Sequence, residues 1–191
     1  RAGRSIRRAI DKEAIDDMMG HFYSHVLVCG ASQEACAATM KRLGRRSIVA
    51  PAHRAVVTVC DAGSESLDLD ELDSVAFTLA HHMKTATLAV LNHDDDLLLV
   101  RIFGPEGFKG YCRSRMLLGG AYAQMIYACG VRRPVAAVWL AFARPHRLEV
   151  DRHEALVRLL DLPPWSVGMG YRYLSTRDLS GLMRADRLIR T

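Results

Sequence analysis

Four consecutive residues, His93-Asp94-Asp95-Asp96, form the densest concentration of metal-ligating side chains in the chain, and His81, His82 and His153 are the imidazoles that would join them. Donors of these types bind divalent cations, so a small-ligand or metal-dependent enzyme using the 93–96 corner is one reading. Spacing weighs against it. Consecutive aspartates on a tight corner point in different directions, and no calcium-loop or His-x-x-x-His pattern accompanies them. The expectation is a solvated turn that also blocks edge pairing, with no cofactor.

A second candidate is Gly30-Ala31-Ser32, which separates a short apolar strand (24–29) from a helical stretch (33–43) that stops at Gly44. Strand, turn and helix invite a nucleotide phosphate, yet neither Gly-x-Gly-x-x-Gly nor Gly-Lys-Ser/Thr stands at the strand end, so Ser32 reads as a helix cap. The five cysteines, Cys29, Cys36, Cys60, Cys112 and Cys129, fall one at a time with no Cys-x-x-Cys pair. They read as reduced, mostly buried small hydrophobes in the cytoplasm or another reducing compartment. No Gly-x-Ser-x-Gly elbow, His-Glu-x-x-His, P-loop or kinase set occurs, so no catalytic residue is assigned.

The elements that must carry these side chains are clearest at 86–115. Apolar runs at 87–91 and 97–103 flank the His-Asp corner, and a Gly-Pro-Glu-Gly turn leads to a third run through Tyr111, which makes a three-strand meander. Shorter strands are expected at 47–50 and 55–60. A helix at 70–83 sets Leu72, Val75, Ala76 and Leu79 on one face. Beyond Arg115 the period becomes helical, at 116–129, 135–142 and 152–160, and a basic end at 184–190 is expected to fray. The fold class is α+β: a mixed, largely antiparallel sheet of about six strands with helices mainly on one face and a more helical C-terminal half. Residues 21–191 form a single domain, preceded by a peripheral amphipathic helix at 1–20.

Half of the 191 residues are hydrophobic, enough for a sizeable core, and no apolar run approaches the roughly 18 residues of a membrane span. The net charge of +5 is unevenly spread, with 2 basic against 9 acidic residues in 51–100 and 8 against 2 in 101–150. Opposite faces would favour association with a protein partner or a second copy; neutralisation within one chain is the alternative. The N-terminal segment places Ile6, Ile10, Ile15 and Met18 on one apolar face, while its early arginines and late aspartates oppose the helix dipole, so it needs a docking surface. With Arg113, Arg115 and the bulky Trp165 and Tyr171, these residues are the candidate partner-binding set of a non-catalytic interaction or assembly module. Nucleic-acid binding through Arg101, Arg113, Arg115, Arg132 and Arg133 is a further alternative without a supporting motif.

The tail runs from His153 through Leu162-Pro163-Pro164-Trp165 to Gly170-Tyr171-Arg172-Tyr173-Leu174. With the His-Asp-Asp-Asp corner it resembles a set of uncharacterised bacterial proteins that share a similar hairpin and tail. The resemblance covers the last half of the chain and implies no activity.

Overall fold

The computed structural model describes residues 21–116, 119–175 and 187–191, so the N-terminal set Ile6, Ile10, Ile15 and Met18 lies outside the described residues. The chain forms β1 (Tyr23–Cys29), α1 (Gln33–Arg42), β2 (Ser47–Val49), β3 (Val56–Asp61) and α2 (Leu69–Met83). The meander follows as β4 (Thr87–His93), β5 (Leu97–Gly104) and β6 (Gly107–Arg113). Helices α3 (Tyr122–Ala128), α4 (Val135–Ala143), α5 (Glu149–Leu160) and α6 (Tyr171–Ser175) precede a last short strand, β7 (Ile189–Arg190). This is the α+β architecture expected from the residues.

All strand pairings are antiparallel, in the order β6-β5-β4-β1-β3-β2-β7. The strands and α-helices from β1 to β4, β1-α1-β2-β3-α2-β4, with β4-β1-β3-β2 as their strand order, make the split βαβ arrangement of ferredoxin-like domains, which the β5–β6 hairpin widens. Crossovers of one hand place α1 and α2 on the same side of the sheet. Local chemistry starts both helices: the Ser32 hydroxyl accepts from the Ala35 N–H, and the Asp68 carboxylate accepts from Asp70 and Glu71.

Helices cover both faces, not mainly one. Val26, Val28, Val57, Val59, Ala89 and Leu91 pack under Met40, Leu72, Val75 and Leu79 of α1 and α2. Their neighbours in sequence, Leu27, Cys29, Val56, Leu88 and Val90, point the other way, beneath Tyr122, Met125, Phe142, Leu156 and Leu160 of α3 to α5. The reason is pleat geometry: successive side chains alternate faces, and β1 is apolar on both. All seven of its residues are buried. A third cluster, with Ile48, Cys60, Met169 and Leu174, closes the β2–β3 end.

Two further expectations are corrected. Ile189 and Arg190 are not frayed but pair with Val49 and Ile48, because β2 otherwise leaves an open row of backbone groups; Thr191 adds bonds to Ser47 and to the Arg45 carbonyl. Helix α3 begins at Tyr122, well after 116, since Gly119 stands at a φ of +82°, outside the helical region. Gly110 lets this helix approach: a Cβ there would lie 2.6 Å from that of Ala121.

Candidate functional site

The structure separates the imidazoles of the metal reading. His81 and His82 end α2, beside the start of β4, and His81 Nδ1 lies 3.0 Å from the Pro105 carbonyl. His93 ends β4, about 20 Å away at ~3.3 Å per residue. Among the described residues no group of three or more His, Cys, Asp or Glu is arranged to hold a metal ion.

The corner is also not wholly a solvated turn. His93, Asp94 and Asp96 are exposed, but Asp95 turns inward and is buried. Its carboxylate accepts from the His21 N–H (3.0 Å), His21 Nδ1 (2.6 Å), Asn92 Nδ2 (3.0 Å) and the Val150 N–H (3.2 Å). Burial by itself would raise the Asp95 carboxyl, but the Asn92 amide and the His21 donors outweigh it and hold it below the usual carboxylate range. Asp95 therefore ties the start of β1, the β4–β5 corner and the first turn of α5 together. Asp95→Ala should cost about 2–3 kcal/mol, because four donors lose a charged acceptor. Chemical denaturation checks this; a loss below about 0.5 kcal/mol, the scale of ordinary surface changes, would refute the inward role.

Behind Asp95 lies a buried polar cluster. The rings of Tyr23, His25 and His153 stack, with His25 and His153 centroids 5.6 Å apart. The Tyr23 hydroxyl shares a 2.8 Å bond with His153 Nδ1, and His25 Nδ1 donates to the Met169 carbonyl at 2.9 Å. Burial lowers the His25 pKa to about 4 against the pull of that carbonyl, and burial together with the nearby His25 drives His153 well below its ordinary value. Both rings are neutral at pH 7. Glu149 and Arg152 complete the layer: Nε and Nη2 of Arg152 grip the carboxylate at 2.6 and 3.3 Å, and Nη1 donates to the carbonyls of Ala141, Phe142 and Arg144. Every member is buried, so the cluster docks α5 to the sheet and offers no surface to a substrate.

The candidate partner-binding residues are not brought together. Arg113 and Arg115 are exposed at the end of β6, while Trp165 and Tyr171 pack against the third cluster near β2 and β3, at the far side of the sheet. Tyr171 is further occupied: its N–H donates to Glu65 at 2.6 Å and its ring lies under the Arg46 guanidinium. The acidic and basic quarters partly neutralise each other within the chain, since Arg101 pairs with Asp73 at 2.6 Å. Arg133 donates to the Leu159 carbonyl. The sheets that stack RNA bases do so on an uncovered face, and here both faces carry helices.

What the sequence reading missed is a cleft of about 920 Å³ between α3, the loop after α2 and the β5–β6 turn. Ile102, Phe103 and Gly104 form its buried floor, and Lys84, Lys109, Gln124 and Tyr127 its exposed rim. No acidic residue lines it. Lys109 also meets the exposed Glu106 at 3.3 Å, a surface pair of little energetic weight. Tyr127 is 88% exposed, the most solvent-facing large hydrophobic side chain among the described residues. A signal existed: in α3 Tyr122, Met125 and Ile126 face inward, which puts Gln124 and Tyr127 outward together.

Comparison with known proteins does not assign the site. No family model, curated protein or solved structure matches this chain. Among the described residues no helix is long and apolar enough to cross a membrane.

Proposed function

We propose that this chain is a non-catalytic protein-interaction module that takes an acidic, partly apolar segment of a partner protein into the cleft under α3. The observation that carries this reading is the lining itself: two lysines and an exposed tyrosine around an apolar floor, without one carboxylate. Tyrosine is enriched among the residues that carry most of the energy of recognition surfaces, and charge complementarity with the two lysines selects an acidic partner. No nucleophile and base sit paired in the cleft, which favours binding over chemistry. A reducing compartment such as the cytoplasm suits the five free thiols.

The test is selection from a fluorescent peptide library rich in Asp and Glu around one aromatic or aliphatic anchor. Selected peptides should lose about tenfold in affinity with Tyr127→Ala and about a hundredfold with Lys84→Glu combined with Lys109→Glu, and should bind more weakly at high salt. An oligonucleotide of equal charge is the polyanion control. Equal affinity for it, or peptide binding that survives all three substitutions, would refute the proposal.

A further inference from the structure

We propose that α4 is the face by which this protein lies on an anionic lipid bilayer surface. All nine side chains of Val135–Ala143 are apolar, and only Val138 and Phe142 are buried. These two belong to the core cluster shared with α3 and α5, and Trp139 and Ala141 pack partly against it. The helix therefore turns an apolar side outward: Val135 is 47% and Leu140 36% exposed, and Ala136 is exposed with them. A helix on the surface of a globular protein ordinarily carries polar or charged residues on that side, and α4 has none to put there.

Charge selects what covers this side. Arginines stand just outside both ends of the helix, Arg132 and Arg133 before Pro134 and Arg144 and Arg147 after Ala143, and all four are exposed. None of them meets a carboxylate among the described residues. The bond from Arg133 to the Leu159 carbonyl leaves its charge uncompensated. Between Glu106 and Glu149 the chain carries seven basic residues and no acidic one. A second copy of α4 laid against the first, in either direction, would bring arginines to arginines, which like-charge repulsion opposes. A bilayer with anionic headgroups offers both complements at once: negative charge for the arginines at the two ends, and acyl chains for Val135, Ala136 and Leu140 between them.

At about 1.5 Å per residue the helix is about 14 Å long, too short to span a hydrocarbon core of about 30 Å, so it lies in the plane of the interface. No residue of α4 lines the cleft, and the inference stands apart from what the cleft binds.

Co-sedimentation of the full chain with lipid vesicles tests it. Phosphatidylcholine vesicles containing about 30% phosphatidylserine should carry the protein down, and phosphatidylcholine alone should not. Affinity should fall about 25-fold with Arg132→Gln combined with Arg147→Gln, or about fivefold per arginine. It should fall about tenfold with Val135→Ser combined with Leu140→Gln. All four positions are exposed, so melting temperatures should stay within about 3 °C of wild type. Amide exchange over Val135–Ala143 of the wild type should slow on the anionic vesicles, a readout that needs no variant. No sedimentation with anionic vesicles, equal sedimentation with neutral ones, binding that survives either double variant, or unchanged exchange over α4 would each overturn the proposal. So would a wild-type dimer in light scattering that Leu140→Gln dissociates, since a second copy would then cover the face.

Discussion

Arg152→Ala is expected to cost about 3–5 kcal/mol and to release the helical layer formed by α4 and α5. The side chain is 1% exposed and grips Glu149, itself 2% exposed. Its Nη1 also satisfies the carbonyls of Ala141, Phe142 and Arg144, where α4 ends and its last acceptors lack helical donors. Truncation leaves a buried carboxylate without its cation and these carbonyls without this donor. Leu27, Val90 and Val100 would then lose the cover that α5 provides. Two variants separate pairing from packing. Arg152→Lys keeps the charge without the fork and should fall between wild type and alanine; Arg152→Met with Glu149→Gln removes both charges and should cost less than Arg152→Ala. Urea denaturation measures all three. A loss below 1 kcal/mol for the alanine variant would refute the docking role.

Acid should destabilise the fold well before its carboxylates protonate. Burial opposes the charge of His25 and lowers its pKa to about 4 in the folded chain, whereas a histidine in the unfolded chain keeps its ordinary value of 6.5. The unfolded chain therefore binds more protons between these values, and stability falls as pH falls through that window. The contribution is fully present above pH 6.5. At ~1.4 kcal/mol per pKa unit, His25 accounts for a loss of about 3 kcal/mol by pH 4, and His153, lowered by burial and by His25, adds to it in the same direction. Below that range Asp95 contributes as well, since its depressed carboxyl loses its donors' stabilisation on protonation. Denaturation curves at pH 7.5, 6, 5 and 4.5 should show a steady loss. Replacing His25 and His153 with glutamine should flatten the curve above pH 5. Equal stability of the wild type at pH 7.5 and 5 would contradict the neutral, buried assignment.

Several features of the fold were legible in residue order. The meander of β4, β5 and β6 came from apolar runs separated by turn residues, and Ser32 and Leu72–Val75–Leu79 announced α1 and the inner face of α2 through capping and helical spacing. The second helical layer was written there too, in the unbroken apolar run Val26-Leu27-Val28-Cys29: a strand covered on one side alternates, and a strand covered on both does not. Asp95 was not legible. Three adjacent aspartates have the same local chemistry, and which one turns inward depends on His21 and Val150, which arrive from distant parts of the chain.

Residue order thus settles what each segment is, because periodicity, caps and turn chemistry act over a few neighbouring residues. It also settles the absence of any recognised catalytic motif. Which side chains meet is settled by packing. The stack of Tyr23, His25 and His153 and the cleft lined by Lys84, Lys109 and Tyr127 both join residues from different elements. Their contact follows from strand order and from which face each helix covers, and neither quantity has a local signature in the chain.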